Sequence, residues 1–332
     1  MIHADPNKTA DIRRSNLERW IAGQFRGARF SLAPASEDAS FRRYFRATFE
    51  DGRTLIAMDA PPDKENCRPF VHVAALLKQA GVHAPEVQAQ DLDAGFLLLS
   101  DLGTRTYLAA LDEASADRLF ADATDALIAW QRASRPGELP PYDEALLRRE
   151  LNLFPEWYVK RHRGIDLSSA QSHALEGVFA ALIKSALAQP TVYVHRDYMP
   201  RNLMVSEPNP GVLDFQDAVM GPVAYDMVSL MRDAFLSWEE ERVLDWTVRY
   251  WQKAKSAGLP VDPDFGEFWR AFEWMGLQRH LKVLGIFARI NYRDGKPKYL
   301  GDTPRFVAYA RPVAKRYRDL APLLKLLDDI EK

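Results

Sequence analysis

Apolar residues change their spacing several times along the first hundred positions. Ile12, Trp20, Ile21 and Phe25 fall roughly on one helical face, which predicts an opening amphipathic helix that ends near Gly27. From residues 40–49 and again from 54–59 the pattern becomes that of strands, and Asp51-Gly52 between them is a hairpin signal. Helical spacing returns in Phe70, Val73, Ala74 and Leu77, predicting a helix over about 66–80 with Gly81 suited to the left-handed position after its last turn. Segments 86–90 and 96–99, separated by Asp91, Asp93 and Gly95, read as two more strands. Residues 1–102 are therefore expected to form a small, mostly β lobe with one inserted helix.

After Asp101-Leu102-Gly103 the pattern lengthens into helices over 115–133, 143–161 and 169–188, with Pro and Gly clusters between them. Short apolar runs at 192–195, 203–205 and 212–213 interrupt this helical stretch. The expectation is an α+β protein of two lobes, 1–102 and 103–332, the second mainly helical. No internal repeat or low-complexity segment is present.

Unusual polar residues collect at that β interruption. His195, Arg196, Asp197, Arg201 and Asn202 lie between two apolar runs, and a loop pinned by buried strands on both sides can hold Asp197 and Asn202 in fixed relation. Leu213-Asp214-Phe215-Gln216-Asp217 follows shortly after. Phosphoryl transfer needs a group to accept the attacking hydroxyl's proton, and oxygen ligands to hold magnesium on the phosphates. Asp197 suits the first role; the Asn202 amide oxygen and the Asp214 carboxylate suit the second. Arg201 is a candidate to stabilise transferred charge, with a surface ion pair as its alternative. Asp226 opens a helix whose Met227, Leu230 and Met231 face the core, which fits it to steady the loop backbone.

His195-Arg196-Asp197 with Asn202, then Leu-Asp-Phe, resembles the catalytic and metal-binding loops of the protein-kinase-like superfamily. Phe215 is not followed by Gly, no Ala-Pro-Glu segment comes later, and Ala224-Tyr225-Asp226 arrives almost at once. This pattern is similar to the aminoglycoside phosphotransferase and choline kinase branch, which phosphorylates small hydroxyl compounds. Ala39-Ser40-Phe41-Arg42-Arg43-Tyr44-Phe45-Arg46, Met58-Asp59-Ala60-Pro61-Pro62, Leu99-Ser100-Asp101-Leu102-Gly103 and Asp214-Phe215-Gln216-Asp217-Ala218 look like the anomeric N-acetylmuramate/N-acetylglucosamine kinases of cell-wall recycling. The resemblance continues through Glu150, Phe154, Trp157 and Tyr158 and through residues 277–287.

The resemblance implies a two-lobed protein-kinase-like fold that uses ATP and Mg2+. It implies phosphorylation of a sugar's C1 hydroxyl, with the nucleotide near Ser100, Asp101 and Leu102 and His195 as a catalytic-site residue that organises the loop, direct proton transfer being its alternative role. Glu150, Trp157, Gln216, Arg279 and His280 are its candidates for contact with the sugar, although 279–280 also read as the solvated face of a long helix. Two features depart from the superfamily. No glycine-rich loop precedes the second strand, and Met58 stands near the place of a phosphate-gripping lysine. Ser40 with Arg42, Arg43 or Arg46 is the candidate substitute. Strand alternation points Arg42, Tyr44 and Arg46 one way and Phe41, Arg43 and Phe45 the other, leaving open which set meets the nucleotide. Another small hydroxyl compound as acceptor, such as an aminoglycoside or choline, and a nucleotide-binding pseudokinase are the competing readings.

Composition narrows the alternatives. A chain of 332 residues, 47% hydrophobic and 27% charged with a net charge of −2, has dispersed basic residues, so a nucleic-acid partner is not expected. The start lacks the apolar core of a secretory signal, and no stretch approaches the roughly 20 apolar residues of a membrane span. A cytoplasmic monomer, off the membrane, is the expectation. The single cysteine, Cys67, rules out an internal disulfide and a multi-thiolate metal site.

Overall fold

The computed structural model describes residues 6–36 and 41–331. They fall into two compact units. The first comprises Met1–Thr106 with Met204–Asp217, the second Tyr107–Leu203 with Ala218–Lys332. A division by sequence position alone misses the return of 204–217, which long-range hydrogen bonds secure. The Val205 N–H donates to the Arg105 carbonyl at 2.8 Å, and the Val212 N–H to that of His83 at 2.8 Å.

In the first unit, helix α1 (Pro6–Gln24) precedes strands β1 (Phe30–Ser36), β2 (Arg43–Phe49) and β3 (Thr54–Asp59); α2 (Arg68–Gln79), β4 (Val87–Asp91) and β5 (Phe96–Ser100) follow. The strands form one antiparallel sheet in the order β1-β2-β3-β5-β4. Sequence periodicity predicts four of these strands and misses β1. Its segment FSLAPAS carries Pro34 and small residues rather than a strand pattern, and the sheet tolerates the proline because β1 lies at an edge, where the register shifts between Pro34 and Ser36. The β2–β3 hairpin turns at Gly52, whose φ of +84° suits glycine. One sheet face, with Phe45, Ala47, Phe49, Leu55, Ala57, Phe96 and Leu98, packs on Leu17 and Ile21 of α1. Each fully buried side chain of this size contributes about 1.5–3 kcal/mol.

The second unit carries α3 (Tyr107–Ala110), α4 (Ala116–Arg132), α5 (Glu144–Leu151), α6 (Ser169–Ala188), α7 (Tyr225–Met231), α8 (Glu240–Ser256), α9 (Phe265–Asp294), α10 (Thr303–Arg316) and α11 (Ala321–Ile330). The helix expected over 143–161 is two elements. Pro155 cannot donate a backbone hydrogen bond, and after α5 the chain continues as a π-helix, Phe154–His162. Helix α9 begins at Asp264, whose side chain accepts the Glu267 N–H, and ends at Gly295 in the left-handed conformation. It packs against the π-helix, α6, α7 and α10. Gly285 permits a close approach just before the π-helix, since a Cβ there would lie 2.3 Å from the Leu153 carbonyl carbon. Among the described residues no helix is long and apolar enough to cross a membrane.

Candidate active site

Strand β6 (Thr191–Val194) pairs antiparallel with Val219–Pro222 and delivers the chain to His195. Two carboxylate oxygens then fix the loop backbone. Asp226, fully buried in the first turn of α7, accepts the His195 N–H at 2.7 Å and the Arg196 N–H at 3.0 Å. Burial raises its pKa to about 7, against the pull of those two N–H groups. The buried His195 ring accepts the Asp197 N–H on Nδ1 at 3.2 Å. Tyr198 donates its hydroxyl to the Ala123 carbonyl at 2.7 Å.

Past Asp197 the loop closes on itself. The Asp197 carbonyl accepts the Met199 N–H at 2.9 Å and the Asn202 side-chain N–H at 2.9 Å, and the Asn202 N–H donates to Met199 at 2.8 Å. Spending its amide nitrogen on the loop directs the hard donor of Asn202, its Oδ1, away from that carbonyl. Arg201 is exposed and its guanidinium lies 5.1 Å from the centre of the Phe235 ring. Arg196 has a φ of +75°, a conformation costly for a side chain of that size.

Asp214, in the first unit, also lies in the left-handed region, at φ +64°. The residues after it anchor this conformation. Phe215 is fully buried with its ring 4.7 Å from that of Phe70 on α2, and the Gln216 Nε2 donates to Asp214 Oδ1 at 2.8 Å. Asp214 itself is exposed. The Asp214 carboxylate and the Asn202 amide oxygen are each a hard donor of the kind magnesium takes beside phosphate and water.

The nucleotide candidates differ in their surroundings. Ser40 lies outside the described residues. Arg43 and Arg13 both bond the fully buried Asp59, Arg13 at 2.5 Å. Arg46 grips both oxygens of Asp101, at 2.6 and 3.0 Å, and the Gly103 carbonyl at 2.8 Å. Burial opposes ionisation of Asp101, but Arg46 and the Gly103 N–H hold its pKa below the usual value. Arg42 pairs with Glu65 at 2.9 Å. The Ser100 hydroxyl accepts the Glu86 N–H at 2.9 Å, Leu102 is buried, and Met58 is fully buried on β3.

The sugar candidates also separate. Trp157 is half-buried on the π-helix, while its neighbours Phe154 and Tyr158 stack 5.7 Å apart in the core. Arg279 and His280 do not form a solvated face. Both are buried, and the His280 ring stacks on Tyr309 at 5.0 Å. Burial, with Arg232 and Arg279 nearby, pushes the His280 pKa well down and keeps the ring neutral. Glu150 is buried beneath Arg196, with Tyr142, Gln278 and Lys282 converging on it. These three partners escape a sequence reading, whose one available signal is the i, i+4 spacing of Gln278 and Lys282 on a long helix.

Comparison with known proteins places the chain in a family. A sequence model of the phosphotransferase enzyme family matches residues 31–268. An N-acetylmuramate/N-acetylglucosamine kinase of Pseudomonas putida is 55% identical over 331 residues, covering 97% of both chains. A protein of the same name from Pseudomonas aeruginosa is 60% identical over 296 residues, 89% of this chain and 87% of that one. Among solved structures, a choline/ethanolamine kinase family protein from Mesorhizobium loti superposes with a TM-score of 0.61 at 14% identity, covering 95% of this chain and 99% of that one.

Proposed function

The chain belongs to the phosphotransferase enzyme family and is a phosphotransferase acting on a hydroxyl acceptor; from that premise we propose that it transfers the γ-phosphoryl group of ATP to the anomeric C1 hydroxyl of N-acetylmuramate or N-acetylglucosamine. The product is the sugar 1-phosphate, which serves peptidoglycan recycling. The observation that carries the reading is the pinned catalytic loop, with Asp197 held through its own N–H and carbonyl by His195 and Asn202. Identity over almost the whole length to kinases named for these two sugars supports the acceptor.

Asp197 accepts the proton as the C1 oxygen forms its bond to the γ-phosphorus and the bond to the departing ADP oxygen breaks. Asn202 and Asp214 would each offer an oxygen to magnesium, which would supply positive charge against the phosphates. Arg201 stabilises the transferred charge, and Ser40 with Arg42, Arg43 or Arg46, together with the 100–102 segment, serves the nucleotide. Trp157, Gln216, Arg279 and His280 serve the sugar. The enzyme works as a cytoplasmic monomer.

Phosphorus NMR of the product, with a reducing-sugar assay, tests the position of transfer. Phosphate at C1 blocks the reducing end and is acid-labile. Phosphate at C6, or ADP release only with an aminoglycoside or choline, removes the acceptor assignment and leaves the kinase core.

A further inference from the structure

Glu150 stands among the candidates for sugar contact, yet its carboxylate is spent inside the protein. Oε1 accepts the Arg196 guanidinium at 2.6 Å and the Lys282 ammonium at 2.9 Å. Oε2 accepts the Tyr142 hydroxyl and the Gln278 amide, the latter at 3.2 Å. The Glu150 and Lys282 side chains are 6% and 10% exposed, so little water competes for these bonds. Lys282 is held a second time, by the Tyr225 hydroxyl at 3.0 Å. Burial works against the carboxylate's charge, but Lys282 and Arg196 outweigh it and hold the pKa at about 2.

What this cluster grips is the residue just before Asp197. Arg196 is caught at two places, its backbone N–H by Asp226 and its guanidinium by Glu150. Between them its backbone lies at φ +75°, which a free arginine would leave. Strain of this kind persists where surrounding bonds over-determine it. Both cations, Arg196 and Lys282, feel the field of Asp197 as well as that of Glu150.

We propose that Glu150 is a positioning residue: by clamping the Arg196 guanidinium it holds the strained loop backbone in the conformation that presents Asp197 to the acceptor. The proposal rests on the reading of Asp197 as proton acceptor. A displacement of about 1 Å at a reacting group costs on the order of 100-fold in rate, so a released clamp acts on kcat rather than on substrate binding.

The experiment measures steady-state kinetics of the full chain for Glu150→Gln, Arg196→Gln and the double variant, with Asp197→Asn alongside. Glu150→Gln should lower kcat about 10–100-fold while KM for ATP and for the sugar stay within about threefold. Because Glu150 acts through Arg196, the double variant should be no slower than the slower single variant, within about twofold. An unchanged kcat for folded Glu150→Gln overturns the proposal and makes the cluster purely structural. A raised sugar KM at unchanged kcat overturns it in favour of direct acceptor contact. If Glu150→Gln does not fold, Arg196→Gln carries the same test, and an unchanged kcat there overturns the clamp. Near-normal turnover by Asp197→Asn removes the underlying reading of the base, a result distinct from a failure of Glu150→Gln alone.

Discussion

Protonation of Asp226 should loosen the catalytic loop as the pH falls through about 7, the value to which burial raises this carboxylate. Raising the pKa from 3.8 to about 7 makes ionisation cost the folded protein about 4 kcal/mol more than the unfolded chain. The folded value lies above the unfolded one, so this stabilising contribution is fully present below about pH 4 and is lost as the pH rises through about 7. The carboxylate accepts the N–H groups of His195 and Arg196, one on each oxygen, and its charge strengthens both bonds. Protonated, one oxygen becomes a donor, and a buried N–H left without an acceptor costs about 1–3 kcal/mol. Asp197 raises the pKa further and Arg279 lowers it. A profile of kcat at saturating substrates between about pH 5 and pH 9 should therefore show an acid limb near pH 7. Asp226→Asn should abolish the limb and lower the plateau by up to about 100-fold, because its amide keeps one acceptor and turns a donor toward the other N–H. The parent should also gain melting temperature relative to the variant as the pH falls. An acid limb unchanged in the variant refutes the reasoning and assigns the titration to another group.

Other perturbations follow from the same geometry. On the proposed assignment, Asp214→Ala should abolish magnesium-dependent turnover, whereas Asn202→Ala should weaken it and recover partly at high magnesium, since the first would remove a charged ligand and the second a neutral one. ATP–magnesium titrations followed by ADP release check both, and parent-like behaviour of Asp214→Ala would remove it from the metal site. Asp59→Asn takes the shared charge from Arg13 and Arg43, and should destabilise the first unit by about 1–3 kcal/mol, less than for a wholly buried pair because both arginines reach solvent. Chemical denaturation measures it, and an unchanged midpoint would show that the two arginines do not depend on Asp59.

The loop around Asp197 was legible in the sequence because its determinants are local. Strand, polar residues and strand follow one another within fourteen positions, 192–205, and Asp226 comes soon after. Strand β1 was not legible, since an edge strand needs no central-strand pattern and Pro34 hides it. The arginines of β2 show a different limit. Alternation separates the faces of Arg43 and Arg46, but what each guanidinium grips is set by Asp59 and Asp101, which other segments supply.

Glu150 carries that limit to the site itself. An acidic side chain on a helix beside aromatic residues has the right chemistry for sugar hydroxyls, and nothing within its own segment argues otherwise. Its role is decided by the groups that reach it from elsewhere: Arg196 from the loop, and Gln278 and Lys282 one turn apart on α9. The α9 backbone comes close enough to deliver them because Gly285, three residues past Lys282, has no Cβ to strike Leu153. A larger residue at 285 would push α9 outward, and the carboxylate would lose the cation that holds it charged in a buried site. The glycine that looks like a gap in a helical pattern is thus part of what keeps the strained arginine, and with it Asp197, in place.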